Sequence, residues 1–259
     1  MKVIIFISFC WFHMTVFSQA RENLKVINSD KLNTSAKRMK PLVKAALYAT
    51  YAGIGILSYT YLDDEIRENI LLRTDKNLSS LSHFIGYAGL GVTQVAIVVA
   101  TGITSIIEKN NRLKKATILL IGSHLFNDFV TNQAKITFER HRPNTSDPPH
   151  SFDWRGGSRK NQSFISAHTS NAFCTAAVFQ LCFPEKKWVG IVGYTLATLV
   201  GLSRVYDNQH WMTDVMAGAV VGCSSAWIMN KLYTLGAHRF SFLPNVNNGH
   251  YGIGMICSL

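Results

Sequence analysis

Three separated fragments of the sequence hold the residue types that chemistry on a phosphate ester demands. KITFERHRP, residues 135–143, contributes Lys135 and Arg142; ISAH, 165–168, contributes His168; SRVYDNQHWMTD, 203–214, contributes Arg204, His210 and Asp214. A phosphate monoester carries two negative charges and several acceptor oxygens. An arginine fork matches those oxygens bidentately, and lysine adds a point charge. Covalent transfer also needs an uncharged nucleophile held in one tautomer by a third group. On a helix, His210 and Asp214 share a face because residues four apart are neighbours. Asp214 is therefore expected to accept from one ring nitrogen of His210, which aims the other at phosphorus. His168 then serves as general acid toward the leaving alkoxide and later as base toward water.

In order and spacing the fragments resemble the type 2 phosphatidic acid phosphatase (PAP2) family, which shares its fold with bacterial non-specific acid phosphatases and vanadium haloperoxidases. That pattern is K-x6-R-P, then P-S-G-H, then S-R-x5-H-x3-D. The first and third segments fit throughout, whereas the second reads Ile165-Ser166-Ala167-His168. The run Asp214 to Gly222, DVMAGAVVG, also looks like the small-residue helix start of that family. The resemblance implies His210 as nucleophile through a phosphohistidine, Asp214 as its partner, His168 as acid, and Lys135, Arg142, Ser166 and Arg204 as phosphate ligands.

Ala167 retains a backbone N–H that can donate to phosphate, but its methyl group limits φ and close approach of the chain. Ile165 in place of proline removes only rigidity before the turn. Asn208 stands where the family often has glycine, and asparagine tolerates the left-handed conformation.

These fragments need a scaffold that brings them together. Six stretches read as helices, near 42–62, 81–107, 114–138, 163–183, 187–204 and 212–233, apolar and rich in glycine and alanine as close helix packing requires. The expected fold is all-α, a bundle of about six helices, with a C-terminal β-hairpin suggested by the Asn248-Gly249 step. The first fragment closes the third helix, the second opens the fourth, and the third joins the fifth to the sixth. In an antiparallel bundle all three fragments converge on one end. Residues 139–162 form a long polar connection, in which Trp154, Arg155, Arg159 and Lys160 read either as a basic rim or as solvated loop charges.

With 259 residues, 47% hydrophobic and net charge +11, the chain suits a single domain with one generous core. Residues 1–20 have a basic start, an apolar stretch and Ser18-Gln19-Ala20, as an export signal does. A basic segment, 21–41, follows; 42–235 is the expected phosphatase domain and 236–259 a tail. Cys174, Cys182, Cys223 and Cys257 lack metal-type spacing and read as buried thiols.

The mean hydropathy of +0.11 is modest for six membrane spans. Residues 84–107 carry no charged side chain and are long enough to cross, whereas Val215–Asn230 falls short and Asp128 interrupts the third helix. Lys109, Arg112, Lys114, Lys115, Lys186 and Lys187 lie opposite the motif loops, which places the catalytic end outside the cytoplasm. The same rule holds residues 21–44, with seven Lys and Arg against two acids, inside, so six spans, a cleaved signal and an external site conflict.

The expectation is a bacterial envelope, membrane-associated phosphatase whose site faces the periplasm. It acts on a phosphorylated lipid of the phosphatidate, isoprenoid diphosphate or lipid A phosphate class, with no metal or other cofactor and no nucleic-acid partner. The alternatives are a soluble periplasmic acid phosphatase of broad specificity, a vanadate-dependent haloperoxidase and a non-catalytic anion-binding envelope protein.

Overall fold

Long runs of Leu, Ile, Val, Ala and Gly without interior proline favour helices, and Pro143 and Pro184 both fall in connections. The computed structural model describes residues 63–71, 76–145, 147–155, 161–247 and 250–257. Its helices are α1 (Asp63–Leu71), α2 (Lys76–Tyr87), α3 (Gly91–Ile107), α4 (Asn111–Phe138), α5 (Ala167–Cys182), α6 (Lys187–Tyr206) and α7 (Met212–Arg239). The expected helix at 42–62, the export signal and the basic segment lie outside the described residues. So does the Asn248-Gly249 turn of the expected hairpin. The unit considered below is the one from Ile66 onward.

The expected single helix over 81–107 is two helices, α2 and α3, bent by 50° at Ala88-Gly89-Leu90. The break has a steric reason. A Cβ at Gly89 would lie 2.7 Å from the His168 carbonyl oxygen and 2.8 Å from both His168 Cβ and Val200 Cγ1, so only glycine lets the chain turn there. The fourth predicted helix also starts later, at Ala167, because residues 163–166 are extended and Ser166 is its N-cap.

Central α5 packs most extensively against α7, then α6 and α4. Close approach to α7 depends on the small residues one and two turns past Asp214. A Cβ at Gly218 would lie 2.7 Å from Ser166 O, and one at Gly222 would collide with Ser170 O. Asp214, Gly218 and Gly222 thus form one stripe that seats α7 on the start of α5. Cys174, Cys182 and Cys223 are buried.

Polarity is arranged inside out. Ser123, Asn127, Thr131, Ser170, His210 and Asp214 are buried, while Phe84, Val92, Ile106, Leu125 and Phe129 are exposed. Several interior polar groups pair with each other: Asn127 Nδ2 donates to Asn171 Oδ1 at 2.8 Å, and His124 Nε2 lies 3.0 Å from Thr175 Oγ1. Apolar exterior over a hydrogen-bonded polar interior is the pattern of a protein solvated by lipid. Helices α6 and α7 are long and apolar enough to cross a membrane, and the bent α2–α3 pair makes a third if it counts as one span. The expected shortness of the last helix is corrected, because its apolar stretch runs from Met212 to Gly236.

Candidate active site

Each fragment reaches the same end of the bundle from a helix terminus. Lys135 occupies the last turn of α4, which stops at Glu139 in a left-handed conformation (φ 43°, ψ 47°) whose N–H donates to Lys135 O. The chain then turns through Arg140 and Arg142. Arg204 occupies the last turn of α6, and its carbonyl accepts from the N–H groups of Gln209 and His210 at 3.0 and 3.3 Å. Asn208 adopts φ 56° within this turn, the left-handed conformation that its side chain tolerates. His168 is the second residue of α5, where the first amides lack intrahelical acceptors and face an anion favourably.

Lys135, Arg142, Arg204, His168 and His210 are close enough to act on each other electrostatically. Burial first, then the charges of Arg204, His210, Lys135 and Arg142, push the His168 imidazole down to about 4. Burial likewise lowers His210, with the neighbouring Asp214 acting in the opposite sense. Both rings are therefore neutral near pH 7 in the free protein. Arg142 Nη1 donates to Gln209 Oε1 at 2.7 Å, and Arg204 Nη2 pairs with Asp207 Oδ2 at 2.5 Å.

Two expectations change in detail. His210 Nδ1 donates to the carbonyl oxygen of Ser163 at 2.8 Å, whereas Asp214 Oδ2 lies 3.7 Å away, beyond a hydrogen bond. The carboxylate is already engaged: Oδ1 accepts from Arg140 Nη1 at 2.5 Å, and Oδ2 accepts from Ser163 Oγ at 2.5 Å and Trp211 N at 3.0 Å. The Ser166 hydroxyl is also committed locally, accepting from Thr169 Oγ1 at 2.9 Å and Thr169 N at 3.4 Å in a fully buried cap. Ala167 is the first helical residue of α5 and is not among the positive-φ residues, so its methyl group causes no backbone conflict. Ile165 is buried and anchors the loop.

Sequence reasoning missed the residues that brace the site. Arg140 is 1% exposed, donates from Nε to Pro149 O at 2.9 Å and from Nη1 to Thr213 Oγ1 at 2.8 Å, and lies over the rings of Phe152 and Trp211. His141 bridges two carboxylates, with Nδ1 2.7 Å from Asp147 Oδ2 and Nε2 3.0 Å from Asp153 Oδ1. Asn161 donates to Asp153 Oδ2 at 3.0 Å and so closes the loop on itself. Phe138, Phe152, Trp154 and Phe164 cluster beneath it. The one available signal was Arg140's place inside the first motif, two residues before Arg142. Of the proposed rim, Trp154 and Arg155 are exposed, while Arg159 and Lys160 lie outside the described residues.

A helical bundle with phosphate-type cations and two histidines at one end defines a class, and residues 116–235 match the PAP2 superfamily model. That stretch of the chain is similar to PAP2-type domains. Lipid A 1-phosphatase of Porphyromonas gingivalis is 36% identical over 94 residues, 36% of this chain and 18% of that protein. Lipid A 4'-phosphatase of the same organism is 25% identical over 136 residues, 49% of this chain and 56% of that one. The chain thus spans well under two thirds of the curated relatives it matches. Among solved structures, the transmembrane PAP2-type phosphatidylglycerolphosphate phosphatase of Bacillus subtilis superposes with TM-score 0.55 at 21% identity, covering 74% of this chain and 96% of that one. LpxE of Aquifex aeolicus gives 0.51 at 23%, covering 66% and 95%. These superpositions establish the fold.

Proposed function

We propose that this protein hydrolyses a lipid phosphate or diphosphate monoester through a phosphohistidine on His210. The observation that carries this reading is the meeting of Lys135, Arg142 and Arg204 with two neutral imidazoles at one end of a bundle whose exterior is apolar. Names of relatives that act on lipid A and phosphatidylglycerol phosphate agree with it.

In the proposed reaction Lys135, Arg142, Arg204 and the first amides of α5 hold the phosphoryl oxygens and offset the charge that builds on them. Nε2 of His210 carries the free lone pair because Nδ1 donates to Ser163. The Nε2–P bond forms as the bond from phosphorus to the leaving oxygen breaks. That oxygen takes a proton from His168, which picks it up from solvent as the bound dianion offsets the surrounding cations. His168 then removes a proton from water, which attacks phosphorus and breaks the Nε2–P bond, releasing phosphate.

The exposed apolar helices favour a membrane-associated enzyme over the soluble acid phosphatase. Lys115 in the first turns of α4, Lys186 before α6 and Lys231 in the second half of α7 stand over Tyr233, Phe183 and Trp227, and this basic and aromatic belt away from the site supports a periplasmic catalytic end. An export signal at residues 1–20 belongs to the same proposal. The test is purified protein in detergent against a panel of lipid and soluble phosphates, with His210→Ala as control. Lipid phosphates should be turned over and the control should be inert; equal rates in both would overturn the reading.

A further inference from the structure

We propose that Ser163 is a positioning residue for the nucleophile: its carbonyl oxygen fixes the tautomer of His210, and Asp214 acts on His210 by clamping Ser163. This rests on His210 being the nucleophile.

Four observations converge. The only short contact of His210 Nδ1 is 2.8 Å to Ser163 O, among the hydrogen bonds of the described residues. The Ser163 hydroxyl donates to Asp214 Oδ2 at 2.5 Å, so a single residue offers its backbone to the imidazole and its side chain to the carboxylate. Ser163 N donates to Arg140 O at 3.0 Å, which fixes the third corner of the same residue. Ser163 and Asp214 are fully buried and His210 is 3% exposed, so water does not compete for these bonds.

The chemistry of this arrangement differs from a direct carboxylate–imidazole pair. A carbonyl accepts a hydrogen bond but is too weak a base to take up the proton, so Nδ1 keeps its hydrogen and Nε2 presents its lone pair until it bonds to phosphorus. Asp214 is compensated by Arg140 at 2.5 Å, which leaves less of its charge to draw a second proton onto the ring. Once Nε2 bonds to phosphorus, the ring is cationic, and the Nδ1–H to Ser163 bond strengthens as a charge-assisted one. The carboxylate at 3.7 Å then stabilises the cation through space without accepting from it. Orientation of the ring thus depends on how firmly the 163–166 segment is held, and Ser163 Oγ is the handle.

The test compares Ser163→Ala and Ser163→Thr in the full chain in detergent. Ser163→Ala should lower kcat on the order of ten- to a hundredfold, the range seen when outer groups that orient a functional imidazole are removed, with KM little changed. Ser163→Thr, which restores the hydroxyl, should recover most of it. A Ser163→Ala enzyme with parental kcat would overturn the proposal.

Should Ser163→Ala not fold, the ring 15N shifts of His210 in the parent protein decide instead. A neutral ring protonated at Nδ1 at pH 7 is expected, and a ring protonated at Nε2 or at both nitrogens would overturn the proposal. Loss of activity in His210→Ala with no effect of Ser163→Ala would sink this inference and leave the phosphohistidine reading standing. Activity surviving in His210→Ala would remove both.

Discussion

Arg140 Nη1 and Asp214 Oδ1 lie 2.5 Å apart, with side chains 1% and 0% exposed. The pair ties the loop after α4 to the first turn of α7, and so ties the segment carrying Arg142 to the segment carrying His210. Removing one partner leaves the other charged and unpaired in the interior. Arg140→Met is expected to destabilise the protein by about 3–5 kcal/mol, read as a lowered Tm in detergent. Arg140→Lys keeps the charge but loses the fork to Pro149 O and Thr213, and should fall between. A Tm unchanged by Arg140→Met would contradict the buried pairing.

Anion binding should be linked to a proton. His168 is held at about 4 in the free enzyme by burial and by the surrounding cations. A bound dianion offsets those cations and raises the ring's affinity for a proton. Binding therefore takes up a proton at pH values above 4 and below the bound-state value, and affinity rises as pH falls through that window. Sulfate, whose charge is constant over this range, is expected to inhibit more strongly toward acid by up to about tenfold per pH unit. His168→Asn should flatten the dependence. Sulfate inhibition that is independent of pH in the parent enzyme would count against the role of His168.

Gly89 sets the distance between the α2–α3 bend and His168. In Gly89→Ala the added Cβ would lie 2.7 Å from a backbone oxygen that cannot rotate away, so the start of α5 must shift. Overpacking of this kind costs about 1–3 kcal/mol, and displacement of His168 should lower kcat/KM at least about tenfold, since misplacement of about 1 Å is that costly. Gly91→Ala, two residues on, has open space at its Cβ and serves as control. Equal kinetics for the two variants would refute the steric account of the bend.

The loop network carries its own pH signature. Hydrogen bonds to Asp147 and Asp153 raise the His141 imidazole above its ordinary value. A raised folded-state value means that the contribution is complete below the unfolded value near 6.5 and is lost as pH rises through the folded one. Protease cleavage within residues 140–163 should accelerate across that upper range. His141→Asn should cleave readily at every pH, and a parent loop cleaved equally at pH 6 and pH 9 would contradict the network.

Much of the site was legible because its residues are set by ligand chemistry. Charged forks, paired imidazoles and a helix start are few in kind, and Lys135, Arg142, His168, Arg204 and His210 do meet where helix order predicted. The supporting groups were not legible. Arg140 resembles any loop arginine until Asp214 is seen beside it, and Ser163 contributes a backbone carbonyl, which every residue possesses. Helix type was visible from composition, but the bend at Gly89 depends on contacts with His168 and Val200, which are remote in sequence. The apolar stretch of α7 looked too short because it was bounded by Asp214, which is buried, and Asn230, which is half-buried.

The central claim is a covalent phosphoryl group on His210. Enzyme mixed with a 32P-labelled lipid phosphate, quenched within one turnover and digested, should yield label that is stable to alkali, released by acid and confined to the peptide containing His210. Label absent from the parent under these conditions, or retained in His210→Ala, would contradict the account.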